Sequence, residues 1–230
     1  MLTDHLRWAA QGTRTFLGAM ATLPDERLDQ PTALPGWTGK HLLAHVAANA
    51  EALINLTTWA RTGVETPMYT SPEQRDADIA AGSRRPAGEL RAWVTESAAA
   101  LEVAMTGLQP VDWEQKVRTA QGRTVPASEV PWMRAREVMI HAVDLGAGVR
   151  FTDLPSGFLA ALVDDIVAKR SAAGDGPAVT LSATDHYGSW TVTGAGEPAP
   201  VIGTLAGIAA YLAGRATDGV RHAPALPRWL

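Results

Sequence analysis

Pro126 to Gly146 reads PASEVPWMRAREVMIHAVDLG, and this stretch decides the fold. Trp132, Ala135, Val138, Met139, Ile140, Ala142 and Val143 surround it with apolar side chains at helical spacing, which predicts a helix buried on most of its sides. One stripe is charged. Glu137 and His141 stand one turn apart, about 40° around the axis, with Arg134 and Asp144 on the same face. A charged stripe on an otherwise apolar helix has to face water or a polar-lined cavity.

Working outward, the spacing of Leu6, Ala9, Ala10, Thr13, Phe16, Leu17 and Met20 predicts a helix from about Thr3 to Leu23, ended by Pro24 and Asp25. The turn Leu34-Pro35-Gly36-Trp37-Thr38 offers Thr38 as an N-cap for a second helix over Lys40 to Arg61, stopped at Gly63. A third runs from about Ala87 to Leu108, and the quoted segment is the fourth. Helices of this length and number predict a bundle. Between Gly63 and Pro86 lies a long loop holding Pro67, Met68, Tyr69 and the pair Arg84-Arg85, with Pro72 to Ala81 a candidate helix inside it. Loops this long in compact domains often serve function.

Beyond Gly148 the texture changes. A helix is expected over Pro155 to Arg170, then a break at Gly174-Asp175-Gly176-Pro177, strands at Ala178 to Ser182 and Ser189 to Thr193, a small-residue helix from Thr204 to Gly214, and an irregular tail over 224–230. The expected class is therefore α+β: an N-terminal four-helix bundle over residues 1–149 and a smaller C-terminal mixed α/β domain over residues 150–230.

With 230 residues, 46% of them hydrophobic and 19% charged, the chain can bury a sizeable core. A formal charge of −4 leaves no basic surplus for nucleic acid or an anionic membrane. No apolar run approaches membrane-span length, and MLTDHLRWAAQGTRTFLGAM at the start carries charges throughout, so no export is expected and the expected location is cytoplasmic. Cysteine is absent, which removes disulfides, thiolate metal ligands and any sulfur nucleophile borne by the protein itself. Thiol chemistry here would need a thiol from outside.

Glu137 and His141 alone could be a solvent-facing pair, with Arg134 joining it. His45, on the second helix, shares a face with Leu42, Asn49, Leu53 and Leu56, the side expected to look into the bundle. It is either a core histidine satisfied by a backbone carbonyl or the third member of a His₂Glu set. Three N/O ligands with an open position suit a catalytic Zn²⁺, and after it Ni²⁺, Fe²⁺ or Mn²⁺. His41, one turn earlier, is a rival ligand, with a supporting or surface role as the other reading.

These residues resemble the mycothiol-dependent maleylpyruvate isomerases of the DinB-like four-helix-bundle superfamily. The resemblance is carried by Gly36-Trp37-Thr38, His41-Leu42-Leu43-Ala44-His45-Val46-Ala47, Thr66-Pro67-Met68-Tyr69, the segment Thr119 to Glu129, Arg136-Glu137-Val138-Met139-Ile140-His141-Ala142-Val143-Asp144-Leu145-Gly146, Ala213-Gly214-Arg215 and Asp218-Gly219-Val220. It implies that His45, Glu137 and His141 bind zinc, that mycothiol is the thiol cofactor, and that Arg215 is needed for activity at the site. Read without it, Arg215 complements the dipole of the last helix.

The implied reaction is the cis–trans isomerisation of maleylpyruvate to fumarylpyruvate in the gentisate branch of aromatic catabolism: a zinc-activated thiolate adds to the double bond, the single bond rotates, and elimination restores the thiol. Substrate carboxylates and the enolate call for a cation. Arg215 is the candidate; Arg123 and Arg134 are alternatives that could instead pair with Glu129 or Glu137. Asn49 would orient a ligand or the substrate, or bond within the bundle; Tyr69 would cover the bound thiol, or cap the bundle. Trp37, Trp59, Trp93, Trp113 and Trp132 read as packing residues, and Asp144 as the group that orients His141. The competing functions are a mycothiol S-transferase on the same scaffold, a non-catalytic bundle whose His and Glu side chains merely pair, and a zinc hydrolase. A monomer taking a small-molecule substrate is the expected working form.

Overall fold

The computed structural model describes residues 1–228; the last two positions of the expected tail lie outside the described residues. The chain divides into two compact units, Met1–Val149 and Arg150–Leu230. The architecture is α+β, with a helical first unit and a sheet-containing second.

In the first unit four long helices carry the packing: α1 (Leu2–Thr22), α3 (Gly39–Thr62), α5 (Ala87–Thr106) and α6 (Val130–Asp144), with the short α2 (Asp25–Leu28) and α4 (Pro72–Gly82) between them. α3 starts where Thr38 and His41 form a reciprocal cap and ends where Gly63 turns left-handed at φ 74°. α4 starts with Pro72 in its first turn and Ser71 Oγ accepting the Gln74 N–H at 3.1 Å.

α1 packs mainly on α6, and α3 lies between α5 and α6. The α1–α6 approach is close: a Cβ on Gly12 would sit 2.6 Å from Val138 Cγ2. Phe16, Met20, Leu42, Leu43, Leu90, Val94 and Val138 fill one part of the core, while Leu53, Leu56, Leu101, Met105, Val117, Val125 and Val130 fill another. Along α3 the two clusters meet between Ala47 and Ala50, so His45 and Asn49 sit near the middle of the apolar mass.

The fourth helix begins later than the sequence reading expects. Thr124–Pro126 is a strand, β2, paired antiparallel with β1 (Lys116–Arg118), and a 3₁₀ turn over Ala127–Glu129 follows before α6 starts at Val130. The hairpin buries Val117 and Val125, and three paired residues per strand are too few to show as alternation. α5 ends two residues before the expected boundary, at Thr106.

The second unit opens with a 3₁₀ turn at Phe151–Asp153, then α7 (Ser156–Ala173) and a four-stranded sheet in the order β4-β3-β5-β6, from β3 (Pro177–Ala183), β4 (Ser189–Val192), β5 (Ala195–Gly203) and β6 (Val220–Arg221). β3 pairs antiparallel with β4 and parallel with β5. β5 and β6 are additions to the sequence reading. β5 contains Pro198 and Pro200 and is largely exposed, so it lacks the strand pattern; over most of its length its far side has no partner strand, and there proline is tolerated. The chain passes from β4 to β5 through Thr193 and Gly194 alone, and a Cβ on Gly194 would stand 2.3 Å from Gly176 O. α8 (Leu205–Leu212) packs on α7, and Arg170 of α7 donates to Leu212 O at 2.8 Å.

Candidate metal centre

α3 and α6 bring together three residues far apart in sequence, His45 lying 92 positions before Glu137. His45 Nε2 lies 2.8 Å from Glu137 Oε2, and His141 Nε2 lies 3.3 Å from the same oxygen. One ligand atom from each of the three falls within 4.8 Å of the others, and this is the metal-capable group found among the described residues. Tetrahedral bonds of about 2.0–2.2 Å place neighbouring ligand atoms roughly 3.3 Å apart, so the donor set fits a small divalent cation in both spacing and chemistry. His45 is buried, and Glu137 and His141 are half-buried.

The surroundings orient these ligands. Asp144 Oδ2 lies 2.8 Å from His141 Nδ1, and its side chain is 1% exposed. That contact puts a proton on Nδ1 and aims Nε2 at the cluster. Trp37 packs against His45 with ring centroids 5.2 Å apart, and the two histidine rings meet nearly perpendicular at 5.0 Å.

Burial opposes charge on all three ligands, and the neighbours decide the outcome. At Glu137 burial would raise the carboxyl pKa, but hydrogen bonds and charge from the two histidines hold it well below the usual range. At His141 burial is outweighed by Asp144 and Glu137, which push the imidazole up to about 9. Burial lowers His45 despite its bond to Glu137. Without a cation, protons between the imidazoles and the carboxylate occupy the place a divalent ion would take.

The other expected site residues divide. His41 is a capping residue: its Nδ1 accepts the Thr38 N–H at 3.3 Å and lies 2.9 Å from Thr38 Oγ1, so it serves the start of α3. Arg134 is a correction to the sequence reading. It is 1% exposed and donates from Nη1 to Val46 O at 2.9 Å and to Asn49 Oδ1 at 3.0 Å, bracing α6 against α3 away from water. Asn49 accordingly bonds within the bundle. Trp132 packs with His5 and Trp8, at ring-centroid distances of 5.2 and 6.0 Å.

Arg123 is exposed in the β1–β2 turn, with its carbonyl accepting the Thr119 N–H at 2.9 Å. Arg215, in the second unit, follows α8; its backbone N–H donates to Ala210 O and its Nη1 to Ala213 O, both at 2.9 Å. Burial above all pushes the Tyr69 hydroxyl up to about 12, and the charge of Glu137 adds to that push. The loop bearing it is tied down by Asn55 Nδ2 donating to Pro67 O at 3.1 Å and by the Ala120 N–H against Met68 Sδ at 3.2 Å.

One residue beside the cluster escapes the sequence reading. Arg75, on α4, brings Nη2 to 3.4 Å from His45 Nδ1, and its Cζ lies 5.9 Å from the centre of the Tyr69 ring. No spacing signal links it to His45, because α4 reaches α3 only by tertiary packing.

Residues 9–146 match the family described as mycothiol maleylpyruvate isomerase N-terminal domain. The whole chain is similar to the solved crystal structure of the mycothiol-dependent maleylpyruvate isomerase at 42% identity and a TM-score of 0.95, covering 100% of this chain and 97% of that one. A histidine-to-alanine mutant of the same enzyme matches with the same figures. No curated protein sequence matches the chain.

Proposed function

Since the chain belongs to the mycothiol maleylpyruvate isomerase family, we propose that it isomerises maleylpyruvate to fumarylpyruvate, using mycothiol as external nucleophile and a zinc ion held by His45, Glu137 and His141. The observation that carries this reading is the full-length similarity to the solved isomerase at 42% identity. The convergence of the three donors within 4.8 Å supports the metal, and the absence of cysteine supports a sulfur that comes from outside. On this reading the reaction belongs to the gentisate branch of aromatic catabolism.

Zinc at this site would supply the charge that keeps a bound thiol in its thiolate form at neutral pH, and mycothiol the sulfur whose reversible addition frees the cis double bond to rotate. The chain's own residues do the rest. Asp144 fixes His141 as an Nε2 donor, and Trp37 packs against the His45 ring. Two neutral imidazoles and one carboxylate offset one charge of a dication and leave the centre attractive to an anion. The Tyr69 hydroxyl, pushed up to about 12 chiefly by burial, stays protonated and can donate a hydrogen bond. Arg215 is assigned the positive charge that meets substrate carboxylate and enolate, since a guanidinium binds such oxygens in a fork.

The test is turnover. Zinc-loaded protein should convert maleylpyruvate to fumarylpyruvate, followed by absorbance, only with mycothiol present, and His45→Ala and Arg215→Ala should each lower the rate by at least about 100-fold. A product that retains sulfur would replace isomerase by S-transferase. Protein that binds no zinc and turns over nothing would leave a bundle whose His and Glu side chains only pair.

A further inference from the structure

Arg75 makes an ion pair that lies at the surface. Its Nη1 pairs with Asp76 at 2.8 Å, but Asp76 is 72% exposed, and such a pair is weak in water. Nη2 points inward, 3.4 Å from His45 Nδ1, and the guanidinium carbon lies 5.9 Å from the centre of the Tyr69 ring. Arginine has only donors, so in this arrangement His45 Nδ1 must be an acceptor and its proton sits on Nε2, facing Glu137. The guanidinium thus has a long inward contact and an exposed ion pair, with the Tyr69 ring beside it.

We propose that Arg75, with Tyr69, is the carboxylate-binding clamp of this site: in the metal-loaded protein it turns from His45 to a carboxylate of a short dicarboxylic substrate and orients it beside the metal. The inference rests on the isomerase reading for the substrate and on geometry for the residue. The Tyr69 loop is tethered to α3 through Asn55 and Pro67, so the hydroxyl is held in place, while Arg75 side-chain exposure of 31% leaves it open to a solute. A dicarboxylate presents oxygens for both donors, and charge-assisted fork contacts of this kind fix orientation as well as affinity.

The probe is maleate, a cis-dicarboxylate lacking the reactive ketone, titrated by tryptophan fluorescence into zinc-loaded full-length protein, wild type against Arg75→Gln, Arg75→Lys and Tyr69→Phe. Arg75→Gln should bind maleate at least about tenfold more weakly and raise KM for maleylpyruvate more than it lowers kcat, at unchanged zinc content and melting temperature; Arg75→Lys should recover part of the loss and Tyr69→Phe lose less. Equal maleate affinity in Arg75→Gln and wild type overturns the clamp, and so does weaker binding fully explained by lost zinc. Maleate binding that depends on Arg75, in a wild-type protein that turns over no maleylpyruvate, would keep the clamp and remove the isomerase reading.

Discussion

The Asp144 side chain, 1% exposed, holds His141 Nδ1 at 2.8 Å. Such a partner keeps the ring in the tautomer that offers Nε2 and raises the basicity of the ligand, and losing it typically weakens a metal site 10–100-fold. Asp144→Ala should therefore lower zinc affinity by about that factor, read by competition with a chromogenic chelator, while Asp144→Asn should retain part of it. Affinity equal to wild type in Asp144→Ala would reduce the contact to a local ion pair. Three positions earlier than Glu137 on the same helix, Arg134 has the opposite fate. Both belong to the charged stripe, but Arg134 is long enough to reach the backbone of α3 at Val46 and is buried there. Which members of a stripe bind a ligand and which brace the bundle depends on what the neighbouring helix presents at each level, and periodicity carries no record of that.

At the scale of elements, α1 docks on α6 through a buried histidine. His5 stands between Trp8 and Trp132, at ring-centroid distances of 5.9 and 5.2 Å, and its Nδ1 has no hydrogen-bond partner among the described residues. Burial lowers its pKa from 6.5, against the opposing pull of Glu129. The folded state therefore binds fewer protons at this site than the unfolded chain. Its contribution to stability is whole above pH 6.5 and declines as pH falls through that value toward the lowered one. Chemical unfolding of wild type between about pH 7.5 and pH 5 should show stability falling with acid, and His5→Leu should make that dependence shallower. Identical slopes would mean that the docking of α1 does not feel this charge. The long helices themselves are legible from composition, since their apolar residues recur at helical spacing and Pro and Gly punctuate them. The β1–β2 hairpin and β5 are not, because three-residue strands show no alternation and β5 carries two prolines on a mostly exposed ribbon.

For the molecule as a whole, the three proposed ligands and the core around them all belong to the unit Met1–Val149. A chain ending at Val149 is expected to fold as a helical protein and bind one zinc per chain, measured by circular dichroism and metal analysis, yet to lack turnover because Arg215 is missing. A truncated chain that is folded, loaded and active would remove Arg215 from the reaction. Among the described residues no helix is long and apolar enough to cross a membrane. The sequence alone determined the helices, the class, the lack of an internal thiol and the candidate set of His45, Glu137 and His141, because helical period, punctuation and residue chemistry are local properties written along the chain. Only the tertiary structure decided that His41 caps α3, that Arg134 is a buried brace with Asn49, and that Arg75 stands between His45 and the Tyr69 ring. Those roles depend on distances between elements far apart in sequence, and such distances arise only when the helices pack.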